Sequence, residues 1–164
     1  AGRRARVPVV SDTEAWLLAA ALPEVQSEMA AMVAEAEGAV QQRRPVCVAS
    51  GNCCHFERYG HALWLTGLEV AWCLRQLPAV PSVDRVDDAV RRGDCPFLRE
   101  GKCSVHPARP LGCRAFFCDG AGEGWQEALL ESWHGRVRAL HERLAIPYRY
   151  DEWRRLLRAF ASHA

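Results

Sequence analysis

From Ser11 onward, apolar residues return every three or four positions, at Leu18, Leu22, Val25, Met29, Met32, Ala36 and Val40. That is the period of one face of an α-helix. Ser11 or Asp12 offers a side-chain oxygen to the free N–H groups of its first turn. Pro23 is expected to kink the helix or split it in two, and Pro45 to stop it, because a residue before proline avoids the α region. The same period reappears late in the chain. Leu129, Trp133, Val137, Leu140 and Leu144 predict a helix from Trp125 that ends by Pro147, and Trp153, Leu156, Leu157 and Phe160 predict a last one capped by Asp151.

Between these ends the pattern weakens. Residues 62–65 suit a short strand. Thr66-Gly-Leu-Glu69 has the spacing of a capping box, in which hydroxyl and carboxylate each satisfy a free backbone donor. The helix it opens should reach about Leu77, before Pro78 and Pro81, and Val83, Val86 and Val90 mark another that ends near Gly93. Residues 94–124 lack apolar periodicity and read as loops organised by something other than a hydrophobic core. The pattern predicts a mainly α, compact helical domain with a central irregular cysteine-rich layer and one short hairpin or strand pair. The whole of 1–164 reads as a single domain, with the cysteine region 47–118 flanked by N-terminal and C-terminal helices.

All eight cysteines fall in that region, and seven of them are candidate ligands: Cys47, Cys53, Cys54, Cys95, Cys103, Cys113 and Cys118. These seven stand beside loop-forming or polar residues. Thiolates are soft, strongly donating ligands, and their gathering in turns points to zinc or an iron–sulfur cluster unless they pair as disulfides. Glycines such as Gly51, Gly101 and Gly112 allow tight turns near the sulfurs, and Pro96, Pro107 and Pro110 stiffen the approach. Arg109 and Arg114 are candidates to balance thiolate charge or to hold an anionic group at the centre. Cys73, among Val70, Ala71, Trp72 and Leu74, reads as a small buried apolar residue. His55 and His106 suit hydrogen bonding around the site better than ligation, whereas His61, His134, His141 and His163 read as surface or helix-face residues. The tryptophans suit core packing. In an extended backbone, adjacent Cys53 and Cys54 would point to opposite sides.

Four pieces carry a resemblance: Cys47-Val-Ala-Ser50-Gly-Asn-Cys53-Cys54, Cys95-Pro-Phe-Leu98, Gly101-Lys-Cys103, and Arg109-Pro-Leu-Gly-Cys113-Arg114 with Cys118 beyond. Together they resemble the bacterial cysteine-cluster family described as zinc- or iron-chelating domains, whose pattern is CxxCxxCC, CPFL, GxC and RPxxCR. The resemblance spans residues 47–118 and departs from the pattern at Ser50, which stands where the second cysteine would be. It implies metal binding and leaves metal and activity open.

The absence of C-x2-C knuckles speaks against a structural zinc finger, and wide spacings with a Cys-Pro ligand are closer to iron–sulfur usage. The expectation is therefore a metal-binding protein with a cysteine-ligated centre, an iron–sulfur cluster of the 4Fe–4S type, in a structural, electron-transfer or metal-handling role. Zinc or mononuclear iron is the alternative cofactor. The alternative functions are an oxidoreductase or protein-modifying enzyme with an open coordination position, no catalytic residue being assignable, and an interaction module built on structural zinc that meets a protein partner. No apolar run is long enough to span a bilayer. The chain has 21 basic and 20 acidic residues for a net charge of +1, and their interleaving argues against nucleic acid. A cytoplasmic location, reducing enough to keep thiols free, is expected.

Overall fold

The computed structural model describes residues 10–44, 51–116 and 124–164, and these form a mainly helical domain with two small antiparallel strand pairs. The elements run α1 (Asp12–Ala20), α2 (Pro23–Arg43), a 3₁₀ turn (Asn52–Cys54), α3 (Phe56–Tyr59), β1 (Trp64–Thr66), α4 (Gly67–Leu74) and α5 (Val83–Arg92). They continue with β2 (Leu98–Arg99), β3 (Lys102–Cys103), a second 3₁₀ turn (His106–Ala108), α6 (Leu111–Ala115), α7 (Trp125–Arg143), β4 (Tyr150–Glu152) and α8 (Trp153–Ala161).

At the centre lies α4. Every residue from Gly67 to Leu74 is buried, as its almost wholly apolar composition requires. The capping box forms: the Glu69 N–H donates to Thr66 Oγ1 at 3.3 Å, and the Thr66 N–H donates to Glu69 Oε2 at 2.6 Å. Helix α1 lies against α4 with the fully buried Trp16 ring on Gly67, where any Cβ would fall inside the indole. Trp16 Nε1–H donates to the Pro147 carbonyl at 2.7 Å, so one side chain joins α1, the start of α4 and the approach to β4.

Strand β1 pairs antiparallel with β4, matching Trp64 to Glu152, Leu65 to Asp151 and Thr66 to Tyr150. Each strand runs directly into a helix, so this short pairing sets α4 and α8 side by side. Ion pairs fasten the outer helices. Arg136 on α7 reaches Glu28 at 2.9 Å and Glu35 at 2.8 Å on α2, and Arg158 on α8 meets Asp87 on α5 at 2.7 Å.

Several expectations shift in detail. Pro23 does split the first helical stretch, sitting in the first turn of α2. Leu18 and Leu22 are 61% and 38% exposed, and Trp16, Ala19 and Ala20 enter the core in their place, because α1 turns a different face to α4. Helix α4 ends at Leu74 rather than Leu77. The strand foreseen at 62–65 lies at Trp64–Thr66 and has a partner the pattern did not reveal. Glu152, not Asp151, caps α8, its carboxylate accepting from the Arg154 N–H at 3.0 Å, because Asp151 is occupied by the β-pairing and by Arg149. His141 is buried, with Nδ1 2.8 Å from the Pro147 carbonyl oxygen. Within 94–116 the chain carries a hairpin, a 3₁₀ turn and α6. Among the described residues no helix is long and apolar enough to cross a membrane.

Two outcomes follow from α4. Gly67→Ala forces a methyl into the Trp16 ring and should cost about 1–3 kcal/mol, read as a lower urea midpoint at unchanged slope. Desolvation pushes the Glu69 carboxyl up from 4.5 to about 7. A carboxyl raised on folding contributes stability below its unfolded value that is lost as pH rises through its folded value. The protein should therefore lose roughly 3 kcal/mol from this group between about pH 4.5 and 7. Urea titrations across that range should show the slope flattened in Glu69→Gln, whose amide oxygen can still take the capping hydrogen bond.

Candidate thiol cluster and metal centre

Three separate chain segments bring sulfur to one place. The 3₁₀ turn holds Cys53 and Cys54, the segment after α5 holds Cys95, and β3 holds Cys103. Their convergence is built from backbone. Gly51, at φ +71°, packs so closely on the Gly101 carbonyl that a Cβ there would overlap it. Only glycine gives both this left-handed turn and this approach. The Cys95 N–H donates to the Cys54 carbonyl at 2.7 Å, and the Glu57 N–H to the Gly93 carbonyl at 3.0 Å. His55 Nδ1 lies 2.7 Å from Asp94 Oδ1, which steadies the same junction. The β2–β3 hairpin pairs Leu98 with Cys103, while the Leu98 N–H donates to the Cys95 carbonyl at 3.0 Å.

The thiols act on one another through Cys54. Its side chain hydrogen-bonds with Cys103, Cys53 and Cys95, and its own pKa is driven far upward because it keeps the proton those neighbours share. Cys53 falls to about 6 and Cys103 to about 7, each chiefly through its hydrogen bond with Cys54. Cys95 is also lowered by Cys54, against its burial. The Arg109 guanidinium favours the anions of Cys53 and Cys103. Cys113, on α6, joins as an electrostatic neighbour whose thiol desolvation pushes well up. Cys53 is exposed, whereas Cys54 and Cys95 are buried.

Of the seven cysteines expected at the centre, Cys53, Cys95 and Cys103 each meet Cys54, and Cys113 stands beside them. Cys47 and Cys118, like Ser50, lie outside the described residues. All six described cysteines are free thiols. Cys53 and Cys54 do not face opposite ways across an extended strand, because a helical turn carries them and lets both side chains meet. Cys73 is 2% exposed in α4, in line with its apolar reading.

Arg114 is buried, with its donors directed at the Arg109 carbonyl (3.1 Å), the Pro107 carbonyl (2.6 Å) and Glu37 (3.3 Å). It ties α2 to the loop before α6. Arg109 lies against His106, and its Nε is buried without a partner among the described residues.

Soft donors that favour the thiolate suit a thiophilic metal. Their contacts run through the Cys54 sulfur rather than about a shared centre. Among the described residues no three His, Cys, Asp or Glu side chains form a group placed to hold a metal ion. The donor chemistry fits a metal, and the described positions are not a finished coordination shell.

Beside the cluster opens a cavity of about 260 Å³ that Cys53 and Cys113 border on one side. It is also lined by Glu69, by His61, whose Nε2 lies 2.9 Å from the Cys53 carbonyl oxygen, and by Trp133. Sequence reasoning missed these three because capping, surface and core roles accounted for them. Glu69 left one signal, as the sole charge in the apolar run Gly67–Leu74.

Comparison with family models, with curated proteins and with solved structures returns no match.

In metal-free protein, iodoacetamide should alkylate Cys53 first among the described cysteines, with a rate midpoint near pH 6, its pKa being lowered to about 6. Cys54→Ala removes the hydrogen bond that lowers it and should move the midpoint towards the ordinary thiol value. Peptide mass spectrometry reads both, and uniform labelling of all described thiols would contradict the coupling.

Proposed function

We propose that this chain is a cytoplasmic metal-binding protein whose thiols hold an iron–sulfur cluster, or alternatively zinc or a single iron, in a structural, electron-transfer or metal-handling role. The observation that carries the reading is the meeting of Cys53, Cys54, Cys95 and Cys103, from three segments, in one hydrogen-bonded set. Proteins rarely bring so many reactive thiols together without a ligand or a bond to join them, and all six described cysteines are free. Arg109 supplies positive charge beside the set. The motifs shared with the cysteine-cluster family support the same reading, with Cys113 beside the set and Cys47 and Cys118 as further donors.

Metal loading on this reading displaces the proton that Cys54 retains and re-aims the thiols from one another to the ion, so binding should release protons. A second reading rests on the exposed Cys53, whose thiol is lowered to about 6. It is a metal-free protein that uses this thiolate as a nucleophile.

Anaerobic incubation with iron and sulfide, and separately with zinc, tests the choice. Stoichiometric metal should survive gel filtration in wild type and Cys73→Ala, and should fall at least several-fold in Cys54→Ala and Cys95→Ala. Visible charge-transfer absorption would select the cluster over zinc. Equal retention by all variants, or none by wild type, would overturn the proposal.

A further inference from the structure

The cavity beside the thiols has features that neither the core nor the cluster explains. Its mouth carries Trp64, Tyr150 and Phe116, which are 49%, 46% and 41% exposed, an unusual cost for three large aromatics in one place. Each meets another ring: Trp64 lies tilted 6.0 Å from Tyr150 between ring centroids, His134 meets Tyr150 edge-on at 4.5 Å, and His61 lies tilted 4.8 Å from Phe116. Two polar groups sit deeper. Trp133 is 1% exposed, and its indole N–H has no acceptor among the described residues. Glu69 is 8% exposed, and its carboxylate is met by Thr66, whose N–H donates to Oε2 at 2.6 Å, with no cationic side chain against it among the cavity's described lining residues. Among the described residues no arginine or lysine lines the cavity, and Glu69 is the one described side chain there, other than histidine and cysteine, that readily carries charge at neutral pH.

Aromatic faces attract cations through their quadrupoles, and a carboxylate within apolar walls does so far more strongly than in water. An unpaired buried indole N–H calls for an acceptor. A cavity of about 260 Å³ is well above the roughly 150 Å³ that takes one benzene, and so admits a substituted ring. We propose that this cavity binds a small organic cation, a protonated amine on an aromatic or apolar body, whose ammonium pairs with Glu69 and whose hydrogen-bond acceptor meets the Trp133 N–H. Anions are disfavoured by Glu69, and neutral aromatics leave its carboxylate unpaired. The site goes beyond the metal-binding reading and does not depend on it.

The test uses the full chain, with metal and after its removal, and two probes titrated by calorimetry near pH 8, where Glu69 is ionised. The first is 3-(aminomethyl)benzamide, which has ring, ammonium and carbonyl. The second is 3-methylbenzamide, which lacks the ammonium. The cationic probe should bind at least about tenfold more tightly. Glu69→Gln, which keeps an oxygen for the cap, should abolish that preference. Trp133→Phe should weaken the cationic probe about threefold to tenfold, while leaving binding of benzylamine, which has no acceptor, nearly unchanged. Equal binding of the two probes by wild type, an unchanged preference in Glu69→Gln, or no binding of the cationic probe at millimolar concentration would overturn the proposal. A chain that retains no metal yet discriminates the probes would refute the metal reading alone.

Discussion

The fold depends on burying α4 completely. A helix with no solvent-facing side needs neighbours all round, and its first turn must accept an indole laid directly on the backbone at Gly67. Once Trp16 is there, its N–H reaches Pro147 and fixes where the chain approaches β4. The β1–β4 pairing then sets α8 beside α4, and the remaining helices pack around that pair. The one carboxylate in the buried helix is tolerated because the capping box gives it a backbone donor. Its pKa is raised because the hydrogen bonds from Thr66 do not fully replace the water it lost.

The thiol cluster rests on a different constraint. Its three segments carry little regular structure, and backbone contacts hold them together: Gly51 on Gly101, Cys95 on Cys54, Glu57 on Gly93. Such a framework places sulfur atoms without committing the side chains to one arrangement. This suits thiols that share protons with one another when no ion is present and would turn towards one when it is.

How much of this was legible in the amino-acid sequence varied with the range of the interactions involved. The Ser11 cap, the Thr66–Glu69 box, the stop at Gly93 and the break at Pro23 depend on residues a few positions apart, and the structure has each of them. Leu18 was misassigned because helical period says which residues share a face, not which face meets the core, whereas Trp16 packs in the core as its residue type suggested. Pairing of β1 with β4 joins residues far apart in sequence, and nothing local in three-residue strands records the partner. Cysteine clustering was plain from residue type. That Cys54 is the hub, and that Glu69 and Trp133 stand at a cavity beside it, depends on side chains brought together only by the tertiary fold.

The β1–β4 pairing also has a consequence for biogenesis. Its second strand and α8 lie after all of the cysteine-bearing segments, so a chain made from its N-terminus presents every thiol before this ladder can close. Contacts of such long sequence separation form late. During that interval Cys54, Cys73 and Cys95, which the finished fold buries, are open to oxidants and stray metals, so the nascent chain depends on the redox poise of the compartment where it is synthesised.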